Sequence, residues 1–162
     1  MKSIENVIDP KNRGQLAIAL FRISVGVMFL LAAWSKVMAG TGWGNRMVGF
    51  LNAQSDMPEW YRVVVDSFII PNASIFGFLT AYGELFLAIA LILGVFIRPA
   101  VLLGLVMVVN FMFAKGHGFW VPSNHDSFYV FALILFYYNS AGEFLGLSTW
   151  ANKLFNKSDA LH

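Results

Sequence analysis

The stretch FRISVGVMFLLAAWSKV, residues 21–37, decides the fold class because it is apolar over the length of a membrane span and yet contains Arg22 and Lys36. A spanning helix needs roughly 20 mostly apolar residues, and this apolar run extends from Leu16 to Val37. Charged side chains inside such a segment are costly and normally face a protein interior with a partner. The stretch therefore predicts a helix that packs against other helices in a membrane.

The composition extends this prediction to the whole chain. Its 162 residues are 58% hydrophobic and 12% charged, and the mean hydropathy is +0.66. Soluble domains carry about 25% charged residues. A second run, Ile75 to Ile97, is also long enough to span a bilayer, and Ala100 to Ala114 and Ser127 to Ala141 are shorter. We predict one polytopic, all-α membrane domain over residues 1–162.

The predicted architecture is a four-transmembrane-helix bundle with a short interfacial helix between the first two spans. The spans cover about residues 15–37, 74–97, 99–114 and 126–141, and the interfacial helix covers about 58–70. All five prolines fall at edges of these elements, which supports the boundaries.

The connection between the first two spans is expected to contain a turn and the interfacial helix. The glycine-rich segment AGTGWGN, residues 39–45, should interrupt the first helix. The charged residues of the interfacial helix fall at i, i+3 and i+7 and are Glu59, Arg62 and Asp66. Such a stripe on an apolar helix is typical of the membrane interface, and its members can pair along the helix. Pro71 and Asn72 are expected to end this helix.

The charges that flank the spans indicate the orientation. Six basic residues lie on the side of the termini: Lys2, Lys11, Arg13, Arg98, Lys153 and Lys157. Four lie on the opposite side: Lys36, Arg46, Arg62 and Lys115. Cytoplasmic segments carry the excess of Lys and Arg, so we expect both termini in the cytoplasm. The leader contains Glu5 and Asp9, and we predict an uncleaved first helix rather than a signal peptide.

The chain also argues against several function classes. It contains no cysteine, which removes disulfides, thiol chemistry, covalent c-type haem and cysteine-ligated iron–sulfur clusters. Its net charge of +2 is small and scattered, so no nucleic-acid partner is expected. The expected partner is the lipid bilayer.

Arg22 and Lys36 are expected to share one interior face. Lys36 lies about 40° from Arg22 on the helical wheel and roughly 21 Å along the axis. Gly26 and Ala33, between them, are small enough to let a neighbouring helix approach. The second long span offers Glu84, which we expect to pair with Arg22 or to sit between both cations. The three charges form either a structural tie or a catalytic group, since ionisable residues inside membranes are functional candidates.

A second polar cluster is expected at the Lys36 end of the bundle, around the loop before the last span. Its candidate ligand-binding residues are Lys115, His117, Trp120, His125 and Asp126. A carboxylate beside histidines can bind a metal, but the spacing is loose and we predict no metal site. The histidines are also poorly placed to hold a haem. A proton-exchanging pocket is the functional interpretation, because histidine titrates near neutral pH. An ordinary hydrated loop is the alternative.

The aromatic content adds one possible ligand. The chain has sixteen phenylalanines, and an aromatic cavity topped by cations suits a quinone headgroup. Aromatic residues are also common in membrane cores and interfacial belts, so the count by itself does not separate a quinone site from ordinary packing.

The sequence resembles the DoxX/DoxD-like family of small four-helix membrane proteins. The matching pieces are FRISVGVMFLLAAWSKV (21–37), YGELFLAIALILGVFIRPA (82–100) and AKGHGF (114–119), in an order and spacing that cover about residues 15–142. The polar positions of the family correspond here to Arg22, Lys36, Glu84 and Arg98. The resemblance implies four transmembrane helices in the bacterial inner membrane, and it adds Arg98 to the candidate ligand-binding residues.

The resemblance also suggests membrane redox work. One branch of the family is a subunit of thiosulfate:quinone oxidoreductase, and other members partner with oxidative-stress and thiol-handling proteins. A quinone cofactor and a redox partner protein or a homo-oligomer are therefore expectations. Without cysteine, this chain would bind a quinone and not carry electrons alone.

Three functions remain open. The first is a quinone-linked redox subunit of a membrane oxidoreductase. The second is a small-anion or proton-coupled transporter, since buried charges mark ion pathways. The third is a non-catalytic membrane scaffold for a redox partner, in which Glu84 only stabilises the fold.

Overall fold

The computed structural model describes residues 12–120, 125–139 and 145–147, and these residues form helices and turns without a strand. The α-helices are α1 (Arg13–Ala39), α2 (Gly42–Asn52), α3 (Glu59–Val64), α4 (Ala73–Leu93), α5 (Ile97–Lys115) and α6 (His125–Tyr138). A π turn, Val65–Ile69, and a 3-10 turn, Ile70–Asn72, join α3 to α4. The all-α prediction is confirmed.

Three helical segments are long and apolar enough to cross a membrane. They are Arg13–Ala39, the continuous segment Glu59–Leu93, and Ile97–Lys115. The 14 residues of α6 reach about 21 Å at 1.5 Å per residue, which is less than the roughly 30 Å of a bilayer core. The described residues therefore support three spans.

The longest packed interface in the bundle joins α1 and α4, which run antiparallel. The interior face of α1 includes Arg22, Gly26, Phe29 and Ala33, all buried. At Gly26 the two backbones approach so closely that a Cβ atom would lie 3.1 Å from the Ile92 nitrogen. The small residues of this stripe therefore permit the contact that the sequence predicted for them.

Helix α2 was not predicted. It begins at Gly42, inside the glycine-rich segment that was expected to form only a turn. Helix α1 ends just before it at Gly40, whose positive φ of 54° favours glycine. Glycine lowers helix propensity by about 1 kcal/mol per residue, but here it allows close packing. A Cβ atom on Gly44 would lie 3.0 Å from the Ala73 oxygen, and one on Gly77 would lie 3.0 Å from the Gly44 Cα. Tertiary contact with α4 thus stabilises a helix that its local sequence disfavours.

The boundary expected at Pro71 and Asn72 is present as a change of helix type, since the 3-10 turn ends at Asn72 and α4 begins at Ala73. The helical path continues through Pro71, because the π and 3-10 turns replace the α-helical hydrogen bonds that a proline disrupts. The Asn72 side chain also donates to the Phe68 carbonyl at 2.8 Å.

The path from α3 to α4 bends at these two turns. Tyr61 hydrogen-bonds to Asn110 at 3.0 Å, although a straight helix would place Tyr61 about 18 Å beyond Ala73. The turns therefore bend the path so that Tyr61 reaches the side of α5.

Arg62 caps α2 instead of pairing along its own helix. Its Nη1 donates to the Leu51 carbonyl at 3.0 Å, and its Nη2 donates to the Gln54 carbonyl. A cation at a helix C-terminus satisfies the last carbonyls and interacts favourably with the helix dipole. Glu59 and Asp66, its expected partners, are exposed.

Two apolar clusters hold the elements together. The main one lies between α1, α4, α5 and α6, and its fully buried members include Leu87, Leu91, Val101, Leu133 and Phe136. The smaller one lies under α2 and α3 and is formed by Leu51, Met57, Tyr61, Val65 and Ala114. The second cluster fixes α2 and α3 against the end of α5.

The close approach of α2 to α4 can be tested with a matched pair of glycines. Gly44→Ala should be destabilised, because overpacking costs about 1–3 kcal/mol and the neighbouring atoms are backbone. Gly49→Ala, in the same helix with no atom within 4 Å, should be neutral or stabilised. Thermal unfolding in detergent should place Gly44→Ala at least about 3 °C below Gly49→Ala. Equal unfolding midpoints for the two variants would contradict the close packing of Gly44 against α4.

Candidate ligand site at the lysine end of the bundle

An ion pair between Lys36 and Glu84 lies at one end of the bundle, which we call the lysine end because Lys36 and Lys115 both lie there. Lys36 is in the last turn of α1, and Glu84 is in the middle of α4. The Lys36 Nζ contacts both carboxylate oxygens of Glu84. The side chains are 16% and 3% exposed, respectively, so the pair is largely removed from solvent.

The expected pairing of Glu84 with Arg22 is corrected by the register of α1 and α4. Arg22 lies against Gly94, where a Cβ atom would collide with its guanidinium. Gly94 is ten residues beyond Glu84, about 15 Å along a helix. Antiparallel packing therefore puts Lys36, and not Arg22, level with Glu84.

Two aromatic rings flank the Lys36 ammonium. Its Nζ lies 5.4 Å from the centre of the Trp43 ring and 5.6 Å from that of Phe111. These distances fall within the range of cation–π attraction. The Trp43 Nε1 is buried and has no hydrogen-bond partner among the described residues. A donor without a partner thus lies beside a buried ion pair.

A second ion pair extends the site. The Lys115 Nζ lies 2.7 Å from the Asp126 Oδ2, and the side chains are 33% and 9% exposed. The Lys115 charge has a small favourable effect on the Glu84 carboxylate, and both pairs lie at the lysine end of the bundle. We call Lys36, Glu84, Lys115 and Asp126 the four-charge network. Helices α1, α4, α5 and α6 contribute one member each, and the charges sum to zero.

The remaining predicted residues of the loop lie outside this network. His117 is half-buried and His125 is exposed. Trp120 is 82% exposed, and its ring lies 4.9 Å from that of Phe119. The described part of the chain contains no group of three metal-ligating side chains. The structure therefore brings Lys115 and Asp126 to the site and leaves the histidines and Trp120 at its margin.

Two predicted residues lie at the opposite end of the bundle, which we call the arginine end. Arg22 is completely buried and donates from Nη2 to the Leu145 carbonyl at 3.4 Å. The Arg22 guanidinium lies against Gly94 at the C-terminus of α4, where a φ of +71° favours glycine. Arg98 is exposed in the first turn of α5. Neither arginine belongs to the four-charge network.

Phe111 was missed by the sequence analysis. It is one helical turn before Lys115 on α5, and this spacing could have placed it near the predicted polar cluster. With both lysines, Phe111 and the Trp43 N–H, the site combines hydrogen-bond donors, aromatic faces and a buried carboxylate. Such a site can orient a planar, uncharged ligand with oxygen acceptors and can exchange protons with it.

The Lys36–Glu84 pair can be tested with a double-mutant cycle. Lys36→Gln and Glu84→Gln should each lose about 3 kcal/mol of unfolding free energy, because each leaves a charge buried without its partner. The double variant should recover most of that loss. Unfolding of all four proteins in detergent measures the coupling, with Glu59→Gln as the exposed control. Additive effects of the two substitutions would show that the residues do not interact.

Comparison with known proteins gives one match. Neither the curated proteins nor the solved structures produced a similar chain. The sequence profile of the DoxX family matches residues 17–117, which is more than half of the chain and includes Arg22, Lys36, Glu84 and Lys115. This protein is a member of the DoxX family of membrane proteins.

Proposed function

We propose that this DoxX-family protein binds the headgroup of a quinone beside the Lys36–Glu84 pair and serves as the quinone-linked subunit of a membrane oxidoreductase. The observation that carries the proposal is the buried Trp43 N–H, which has no partner among the described residues and lies beside a lysine flanked by aromatic rings.

The donor set fits a quinone headgroup. A quinone ring is planar and carries carbonyl oxygens that accept hydrogen bonds. Trp43 offers an N–H donor that no described residue accepts, and the Lys36 ammonium carries three N–H bonds. Phe111 supplies an aromatic face at a similar distance from Lys36, against which a planar ring can pack.

A bound quinone supplies the redox chemistry, since it accepts two electrons and two protons in full reduction. The role of the chain is to hold the headgroup, limit its contact with water and exchange protons. We assign that exchange to Glu84 and Lys36, whose ion pair lies beside the Trp43 ring. We assign the supply of electrons to a redox partner protein, since the chain has no cysteine for thiol or cysteine-ligated iron–sulfur chemistry.

The proposal includes the membrane arrangement. We place α6 as a fourth span after the three long segments, with both termini in the cytoplasm and the lysine end on the opposite side of a bacterial inner membrane. The excess of Lys and Arg on the terminal side supports this orientation.

A scaffold is the competing function, and the pairing of every charge in the four-charge network favours it. In a scaffold, the network ties four helices together and no ligand enters. Buried ion pairs can fix a specific arrangement without adding stability. The two functions differ in what they require of Trp43, because a scaffold does not use its N–H.

The Trp43→Phe variant tests whether the Trp43 N–H is required, since it removes the N–H and keeps an aromatic ring. The affinity for decylubiquinone should fall about fivefold, because a hydrogen bond contributes about 1 kcal/mol. The melting temperature should not fall, since the lost N–H has no partner among the described residues. Equilibrium dialysis of the detergent-purified protein measures the binding, and Trp120→Phe is the exposed control. Equal affinity in all three proteins would contradict the proposal.

The Lys36→Gln/Glu84→Gln double variant separates the two functions further. It keeps similar side-chain volumes and removes both charges, so it should remain folded. At a quinone site it should bind decylubiquinone at least about tenfold more weakly, because charged donors make hydrogen bonds of about 1.5–3 kcal/mol. A folded double variant that binds as well as the native protein would exclude these charges from the site.

A further inference from the structure

One face of α5 combines exposed apolar side chains with a polar one. Its members are Leu103, Val106, Asn110 and Phe113, spaced by three, four and three residues. All four residues are exposed. The exposed fraction is 40% for Leu103, 61% for Val106 and 39% for Phe113. This is the a/d spacing of a helix–helix seam. We call these four residues the α5 seam.

Asn110 lies within a candidate membrane span. Helix α5 has 19 mostly apolar residues, and it reaches about 28 Å. Asn110 is five residues before its end, or about 8 Å inside. An exposed amide at this depth faces hydrocarbon or another protein surface, and unsatisfied polar groups are costly in hydrocarbon.

The Asn110 side chain uses half of its hydrogen-bonding capacity. Its Nδ2 donates to the Val106 carbonyl at 2.7 Å, and its Oδ1 accepts from the Tyr61 hydroxyl at 3.0 Å. A carboxamide has two N–H donors and two acceptor lone pairs. One donor and one acceptor of Asn110 therefore have no partner among the residues whose structure is described.

Asn110 of a second copy of the chain offers the donor and the acceptor that would complete the hydrogen bonds of the first. Two asparagines facing each other across a two-fold axis can each donate to the other, because an isologous interface brings the same residue to both sides. Asparagine side chains hydrogen-bond across helices in membranes, and an asparagine at an a position selects register. A partner with only donors or only acceptors would satisfy half of this capacity.

We propose that the protein forms a parallel homodimer through the α5 seam, with the two Asn110 side chains hydrogen-bonded to each other at the two-fold axis. Leu103 and Val106 pack against the same residues of the second copy, and Phe113, whose ring also packs against Trp60 and Tyr61 of its own chain, lies at the edge of the contact. Tyr61 holds the Asn110 oxygen from its own chain and so orients the amide towards the partner. This inference does not depend on the quinone proposal.

Disulfide cross-linking in native membranes tests the dimer directly, because the chain has no cysteine of its own. Val106→Cys should give a covalent dimer on treatment with copper–phenanthroline. Leu31→Cys, 70% exposed on α1, is the control for random collision and should cross-link at least about fivefold less. Equal yields at the two positions would overturn the α5 seam as the interface.

The role of Asn110 is tested by adding Asn110→Leu to the Val106→Cys chain. The dimer yield should fall at least about fivefold. Asn110→Gln should restore part of it, because glutamine keeps both donors and both acceptors. Thermal unfolding of each variant checks that the loss of the Tyr61 bond has not unfolded the protein. An undiminished yield in a folded Asn110→Leu variant would overturn the proposed contact.

Discussion

The Lys36–Glu84 ion pair is the interaction on which the arrangement of the bundle depends. Two charges inside an apolar bundle are costly unless they meet, and they meet at only one register of α1 against α4. That register places Gly26 beside Ile92 and Arg22 beside Gly94. The ion pair at one end and the glycine contact near the other therefore specify the same alignment, and each limits sliding of one helix along the other.

Helix α4 is the element against which the other parts are positioned. Gly77 lets α2 approach its first half, and Gly26 lets α1 approach its second half. Leu87 and Leu91 fill the core towards α5 and α6. Glu84 lies between these contacts, so its carboxylate is surrounded by protein rather than lipid. The same crowding explains why α2, with its glycines, is stable only as part of the tertiary structure.

Hydropathy predicted the all-α class and the long apolar helices, because burial in a bilayer requires long uncharged runs. It also placed Glu84 and Lys36 in the interior. It left open whether Glu84 pairs with Arg22 or sits between Arg22 and Lys36, since the choice depends on the register that the intervening chain imposes. The continuation through Pro71 and the capping by Arg62 were missed for a similar reason. Both rest on contacts between segments that local patterns do not encode.

The Trp43 N–H helps to decide whether the four-charge network has only a structural role. Each charge in the network has an opposite partner, so electrostatic neutrality is complete without a ligand. The indole donor is not needed for that neutrality, and leaving a buried donor unsatisfied costs about 1–3 kcal/mol. A phenylalanine at this position would keep the aromatic contact with Lys36 and avoid the cost. A ligand with a hydrogen-bond acceptor would satisfy this donor, whereas a purely structural role of the network would leave it without a partner among the described residues.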